Sequence, residues 1–155
     1  MDRFVSNFSN RLDAKGRVSI PASFRAILTR DGFPGLYIHP SLDQPALDAG
    51  GNALLSEIDS LLATLSPYSE ERDSLSTALL GVSEILKIDG EGRVVLTESL
   101  KAYAGIADQV TFVGQGAKFQ LWESGRFQEH LAAARAGARE LKRRLSGLRA
   151  PDAAT

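Results

Sequence analysis

The chain has 155 residues, of which 43% are hydrophobic, and its formal net charge is −1. This length accommodates one domain or two small ones, and the apolar content is sufficient to build a core. The absence of cysteine excludes disulfides, thiolate metal sites and cysteine nucleophiles. No apolar run approaches the length of a membrane span and the N-terminus lacks the apolar segment of a signal peptide, so we expect a cytoplasmic protein.

In chain order, the first half is predicted to contain two strands, a helix, a third strand and further helices. The strands cover residues 4–12, 18–20 and 36–38, and Pro21 opens a helix over residues 22–28. A short helix that is capped by Ser41 or Asp43 and includes Leu47 is expected next, followed by an amphipathic helix over residues 53–65. Pro67 ends that helix.

The second half is predicted to repeat this order after a helix over residues 70–80. Its strands cover residues 81–88, 94–96, 110–113 and 118–122, with a helix over residues 98–103 and a long final helix from Ser124 to about Leu148. Phe24 and Leu100 are the expected apolar anchors of the two equivalent helices. Phe119 and Leu121 are expected to correspond to Leu36 and Ile38 of the first half.

A turn motif occurs twice, 76 residues apart, as Asp-x-x-Gly-Arg at residues 13–17 and 89–93. The Asp can bond backbone donors two residues on, and the Gly can adopt the positive φ that a tight reversal needs. The Arg then begins the outgoing strand, where the carboxylate can orient its guanidinium bidentately. One copy alone could be a plain β-turn with a weak surface salt bridge, but two copies favour a shared architectural role.

Charge is distributed unevenly along the chain. Residues 3–30 hold six basic groups and one acid, residues 31–86 hold nine acids and one base, and residues 123–155 hold seven bases and four acids. The near-zero net charge argues against nucleic-acid binding, whereas the basic segments are compatible with a local anion-binding surface. Charge alone favours the simpler interpretation, a solvated charged face.

Catalytic and metal chemistry find little support in the sequence. The two histidines, His39 and His130, are far apart and lack a second ligand at metal spacing. The glycine-rich stretches 90–92 and 114–116 lack the further residues of a phosphate-binding loop. We therefore expect no catalytic residues, no metal, no cofactor and no small-molecule substrate.

Residues 12–25, LDAKGRVSIPASFR, resemble the signature of the MraZ family of bacterial transcriptional regulators, and residues 89–93 and 119–123 are similar to its second-domain landmarks. The resemblance covers roughly residues 1–145. It implies an α+β fold in which two tandem AbrB/SpoVT-like swapped-hairpin repeats form a double-psi-like β-barrel core with flanking helices. The expected divisions are a first domain at 3–50, a helical connector at 51–80, a second domain at 81–130, and a C-terminal helix and tail at 131–155.

The resemblance also implies a sequence-specific DNA-binding regulator, with repression the expected sign, of the division and cell-wall gene cluster. Its partners would be G-rich direct repeats in promoter DNA and further copies of itself in a ring, in the cytoplasm at the nucleoid. The implied DNA-binding residues are Arg17, Lys15, Arg93, Arg3 and Arg11, and the turn residues are Asp13, Gly16, Asp89 and Gly92. Arginine suits guanine O6 and N7, whereas Lys15 suits phosphate.

Three positions depart from the family pattern. Ser6 stands where many members carry Gly, Glu91 replaces the Lys equivalent to Lys15, and Thr97 replaces the proline equivalent to Pro21. The second hairpin is therefore less basic, which favours Arg17 over Arg93 as a DNA contact. Two other functions remain open: a structural oligomer whose Asp–Arg turns hold subunits together, and an antitoxin-like protein that recognises a toxin as well as DNA.

Overall fold

The computed structural model describes residues 2–154, with side chains described for residues 2–148. These residues form a mixed α+β structure, and their contacts divide the chain into two units, Met1–Ser124 and Gly125–Thr155. The strands are β1 Asn7–Arg11, β2 Arg17–Ser19, β3 Leu36–Pro40, β4 Leu47–Gly50, β5 Glu84–Leu86, β6 Arg93–Val95, β7 Gln109–Gly114 and β8 Phe119–Glu123. The helices are α1 Ala22–Asp31, α2 Asn52–Leu62, α3 Glu70–Ser76, α4 Glu98–Ala104 and α5 Ser124–Ala154, with a π-helical turn at Thr77–Gly81.

The two halves of the first unit exchange strands. Six strands form one antiparallel sheet in the order β1-β7-β8-β4-β3-β5, and β2 pairs with β6 in a second sheet. The first strand of each half pairs with the other half, since β1 lies against β7 and β5 lies against β3. Val18 faces Val94 at the centre of β2·β6, and Asp48 faces Gln120 at the centre of β4·β8. The pairing scheme is therefore unchanged when the halves are interchanged, which is a pseudo-two-fold relationship.

The expected double-psi-like barrel is not confirmed, because neither sheet of the described residues closes on itself. The six-stranded sheet ends at β1 and β5, and β2·β6 is a separate ladder of three residue pairs. β1 and β2 belong to different sheets and are not paired in a ladder. A side-chain hydrogen bond joins them, in which Asn10 Nδ2 donates to the carbonyl oxygen of Ser19 at 2.7 Å.

The core lies beneath the two-stranded ladder. Val18 and Val94 are each about 1% exposed, and the helix anchors Phe24 and Leu100 are buried to the same extent, as predicted. The rings of Phe4, Phe24 and Phe119 contact one another with centroids 4.8–5.2 Å apart. Phe4 reaches this cluster because its backbone forms an isolated bridge with Gly116. The core thus joins residues from both halves.

The helix predicted around Leu47 is wrong. Residues 47–50 form β4, which lies between β3 and β8 and is buried on both faces. Asp48, Ala49 and Gly50 are residue types that are depleted in strands, so local propensity does not indicate this strand. Ser41 does cap a local structure, but that structure is a turn, in which its Oγ accepts from the amides of Asp43 and Gln44 at 3.3 and 3.2 Å.

This missed strand also invalidates the predicted correspondence between the halves. Leu36 pairs with Leu86, while Val110 pairs with Asn10, which lies 76 residues before Leu86. Leu36 therefore corresponds to Val110, and by the same register Ile38 corresponds to Phe112. Leu47, and not Leu36, is the counterpart of Phe119.

The remaining helices lie close to their predicted positions. Residues 70–80 divide into α3 and the π-helical turn, where Tyr37 Oη donates to the carbonyl oxygen of Leu79 at 2.6 Å. The second unit consists of α5, which begins where predicted, continues beyond Leu148, and carries an exposed ion pair between Arg143 and Glu140 at 3.1 Å. Within residues 2–154, no helix is both long enough and apolar enough to span a bilayer.

Candidate nucleic-acid interface

The first Asp-x-x-Gly-Arg turn is closed by one aspartate that bonds three donors. Asp13 Oδ1 accepts from the backbone amides of Lys15 and Arg17, both at 2.9 Å, and its Oδ2 accepts from Arg17 Nε at 2.6 Å. Gly16 has φ +79° and its amide donates to the carbonyl oxygen of Asp13 at 3.0 Å. The hydrogen bonds from Arg17, led by that of its backbone amide, hold the pKa of Asp13 below its ordinary value.

The second turn reproduces this geometry. Asp89 accepts from the amides of Glu91 and Arg93 at 2.9 Å and from Arg93 Nε at 2.9 Å, and Gly92 also has φ +79°. The backbone bond from Arg93 leads the lowering of the pKa of Asp89, and the bond to Asp89 raises the pKa of Arg93. The repeated motif therefore specifies one structure twice, as the spacing predicted.

Each aspartate orients its arginine through a single guanidinium nitrogen. The bidentate pairing expected between them is wrong, because Oδ1 is already engaged by backbone amides. Nε is the guanidinium atom that each aspartate bonds, which leaves Nη1 and Nη2 without a hydrogen bond to that aspartate. In the described part of the chain, Asp13 is the one carboxylate within ion-pair distance of Arg17.

The two arginines lie on the same face of the β2·β6 ladder. Arg17 is opposite Val95, and Arg93 is opposite Ser19. Because alternate residues of a strand share a face, all four side chains point away from the buried Val18 and Val94. Arg17 and Arg93 are diagonal neighbours, which places their backbones roughly 7–8 Å apart. The outer surface of this two-stranded ribbon, defined by Arg17, Ser19, Arg93 and Val95, is the candidate interface.

The other three predicted DNA-binding residues lie at different positions relative to the turns. Lys15 is exposed within the first turn, and no described carboxylate pairs with it. Arg11 is exposed at the end of β1, two residues before Asp13. Arg3 lies between two residues whose contacts are outside both turns. The backbone of Phe4 exchanges two hydrogen bonds with Gly116, at 2.8 and 2.9 Å, and Asp2 forms an ion pair with Arg30 at 2.7 Å.

Glu91 makes the second turn less basic than the first. Its Oε2 lies 3.5 Å from Arg93 Nη1, and its side chain is 74% exposed. Lys15 occupies the equivalent position of the first turn. Arg93 thus has two carboxylates near its guanidinium where Arg17 has one.

Two basic residues at the turns were not identified as site residues from the sequence. Arg25 on α1 donates from Nη1 to the carbonyl oxygen of Glu91 at 3.1 Å. Lys101, 76 residues later on α4, lies beside Gly16, where an added Cβ would be 3.9 Å from its Nζ. The shared offset of 76 residues was the available signal, because it makes Arg25 and Lys101 equivalent.

A buried polar cluster lies away from the ribbon, on β3, β4 and β8. Asp48 accepts from Gln120 Nε2 at 2.8 Å, lies 3.1 Å from Lys118 Nζ, and has His39 Nε2 at 3.8 Å. Trp122 Nε1 donates to Gln120 Oε1 at 2.9 Å. Within the described residues no group of three or more His, Asp or Glu side chains is arranged to hold a metal ion.

Known proteins resemble this chain over almost its full length. A family model described as "MraZ protein, putative antitoxin-like" matches residues 79–148. The "Transcriptional regulator MraZ" of Beijerinckia indica is 70% identical over 154 residues, which covers 99% of this chain and 94% of the relative. That of Methylocella silvestris is 68% identical with the same coverage, and that of Azorhizobium caulinodans is 61% identical over 94% of this chain and 92% of the relative. The chain belongs to the MraZ family.

Two departures from the MraZ pattern have clear structural counterparts. Ser6 has φ +72°, a left-handed conformation in which a glycine would be unstrained, and its carbonyl oxygen accepts from Gly114 N at 2.8 Å. Thr97 is the N-cap of α4, where its Oγ1 accepts from Leu100 N at 3.4 Å. The equivalent Pro21 makes no side-chain cap for α1. Thr97 therefore supplies a capping bond that the first half lacks.

Proposed function

We propose that this MraZ-family protein is a sequence-specific DNA-binding transcriptional regulator that reads DNA with the outer surface of the β2·β6 ribbon. The observation that carries the proposal is the placement of Arg17 and Arg93 on one exposed face, each oriented through Nε by its own aspartate. Relatives that are 61–70% identical bear the name transcriptional regulator.

A two-stranded ribbon suits the proposed target because the major groove of B-DNA admits one. The free Nη edge of Arg17 can donate to O6 and N7 of a guanine, which is the commonest specific contact in that groove. Preorientation by Asp13 reduces the side-chain freedom lost on binding. Lys15 at the turn would neutralise a phosphate, and Arg11 and Arg3 are weaker candidates for the same role.

The target we propose is a set of G-rich direct repeats upstream of the division and cell-wall gene cluster, with repression as the outcome. One ribbon offers few contacts and would bind weakly by itself. A ring of copies that engages successive repeats would gain affinity through effective concentration, which also reconciles DNA binding with a net charge of −1. This function places the protein in the cytoplasm at the nucleoid, without catalysis or cofactor.

A binding titration at two salt concentrations tests this function. The probe is the DNA upstream of the protein's own gene cluster, and the control is a scrambled duplex of equal length and composition. We expect tighter binding to the native repeats at both salt concentrations. Equal binding to both duplexes that collapses with salt would reduce the function to nonspecific phosphate contact. Absence of binding to either duplex would overturn the proposal.

The alternative is a structural oligomer in which the Asp–Arg bonds are purely architectural. It is favoured by one observation, namely that each aspartate satisfies three donors within its own turn. The two functions differ for the variant Arg17→Ala. If Arg17 is architectural, the variant should lose assembly while each assembled particle keeps its affinity for DNA. If Arg17 contacts DNA bases, the variant should lose affinity for DNA while assembly is intact.

A further inference from the structure

Each helix that follows a turn places a cation against the turn of the other half. Arg25 of α1 bonds the carbonyl oxygen of Glu91 in the second turn, 66 residues away. Its counterpart Lys101 of α4 lies beside Gly16 in the first turn. The exchange of strands between halves thus extends to the basic residues, so each turn is completed by a helix from the opposite half.

The contact at the second turn is much closer than the contact at the first. A Cβ added to Gly92 would overlap the guanidinium of Arg25, with Cζ only 2.6 Å away and Cδ 2.5 Å away. At Gly16 the nearest atom would be the carbonyl oxygen of Leu96, at 3.4 Å. Glycine at position 92 therefore serves two purposes, the positive φ of the turn and space for Arg25.

The charge of Arg25 is not compensated. Its one side-chain bond among the described residues is to a carbonyl oxygen, and no described carboxylate lies within ion-pair distance of it. Lys101, in contrast, pairs with Glu98 at 2.8 Å. An arginine has five N–H donors, so the bond to Glu91 leaves Arg25 with donors for a second acceptor.

Arg25 lies at the second turn, which has no lysine at the position equivalent to Lys15. Glu91 stands where the first turn has Lys15, and it approaches Arg93 Nη1 at 3.5 Å. Arg25, on α1, therefore places a positive charge beside this turn. The half-buried position of Arg25 and the bond to Glu91 fix where that charge is presented.

We propose that Arg25 is a phosphate-binding residue of the second turn, and that it holds this turn in register while contacting the DNA backbone beside the position read by Arg93. The proposal rests on the DNA-binding function proposed above. With Arg25 in this role, the second turn contacts DNA although it carries Glu91. Residues of both halves then contribute to the DNA contacts at that turn.

The test compares Arg25→Gln with Arg25→Lys, because both substitutions keep a donor for the Glu91 carbonyl and only one keeps the charge. Binding to the native repeats and to the scrambled duplex is titrated over a range of salt, with the fold checked by circular dichroism. For Arg25→Gln we expect weaker binding to both duplexes by a similar factor. The slope of log K against log salt should also fall by about 0.9 per engaged subunit. Arg25→Lys should retain the slope.

The matched control is Lys101→Gln, at the equivalent position, where Glu98 already compensates the charge; it should change the slope by less than Arg25→Gln. Equal salt slopes for Arg25→Gln and Arg25→Lys would overturn the proposal and leave Arg25 with a purely structural role. Should Arg25→Gln not fold, Arg25→Met, which is also uncharged, replaces it, and a slope equal to that of Arg25→Lys overturns the proposal in the same way. If the wild-type protein binds neither duplex, the DNA-binding function itself fails, which is a separate result.

Discussion

Asp48 and Gln120 face each other at the centre of the six-stranded sheet, and Gln120 Nε2 donates to Asp48 Oδ1 at 2.8 Å. The pseudo-two-fold relationship makes positions 48 and 120 equivalent. If both carried aspartate, two carboxylates would therefore be in contact. An acid opposite an amide avoids that conflict, since the amide donates where a second carboxylate would repel. Both side chains are about 95% buried, which makes the pairing costly to break.

We therefore expect Gln120→Glu to destabilise the fold although the side chain barely changes in volume. The substitution replaces a donor by a second carboxylate against Asp48, and the free energy of unfolding at neutral pH should fall by about 2 kcal/mol or more. Urea denaturation measures the effect. Gln109→Glu, at an exposed position of β7, is the control and should leave the midpoint unchanged. Equal midpoints for the two variants would show that the buried pair is unimportant.

Arg17→Ala should weaken binding to the native repeats by roughly 10- to 100-fold, the discrimination that one bidentate arginine–guanine contact supplies. Folding and assembly should be preserved because Arg17 is partly exposed on the outer face of the ribbon. Fluorescence anisotropy gives the affinity, and light scattering gives the assembled mass. Arg30→Ala, which removes an exposed cation paired with Asp2, is the control. Loss of assembled mass without loss of affinity per particle would contradict the assignment.

Glu91→Lys should increase the affinity for DNA. It removes the carboxylate 3.5 Å from Arg93 Nη1 and gives the second turn the residue found at Lys15. We expect severalfold tighter binding at low salt and a slope of log K against log salt that is steeper by about 0.9 per engaged subunit. Glu57→Lys makes the same charge change at an exposed position of α2 and controls for net charge. A gain of the same size in both variants would mean that only overall charge matters.

Acid should weaken the fold through Asp13 and Asp89. Their pKa values in the folded protein lie below the ordinary value of 3.8, so the folded state binds fewer protons than the unfolded state. The stability contributed by their ionised forms is complete above that ordinary value. It is lost as the pH falls toward the lower folded values.

The measurement is the melting temperature from about pH 6 to about pH 3, for the wild type and for the double variant with Asp13→Asn and Asp89→Asn. The double variant lacks the ionisable groups, so its melting temperature should fall less steeply with acid. Parallel curves for the two proteins would exclude a contribution from these turns.

The sequence predicted the turns accurately and the sheet only in part. Asp-x-x-Gly-Arg encodes local bonds, so its geometry follows from five consecutive residues. β4 was mistaken for a helix because Asp48, Ala49 and Gly50 are residue types depleted in strands, and its pairing with β3 and β8 depends on tertiary contacts. The 76-residue offset makes Arg25 and Lys101 equivalent, but it does not give the turn that each side chain contacts, because those contacts depend on the exchange of strands between halves.

Strand exchange also constrains how the protein is made. During synthesis β1 emerges about 100 residues before β7, its partner in the sheet, so it stays unpaired until the second half has been translated. Pairings between residues so distant in the chain fold slowly, since a long loop must close before any bond is gained. A ribosome that stalls between the halves would leave an open strand edge on the nascent chain, and two separately translated halves contain all the strands needed to complete each other's sheet.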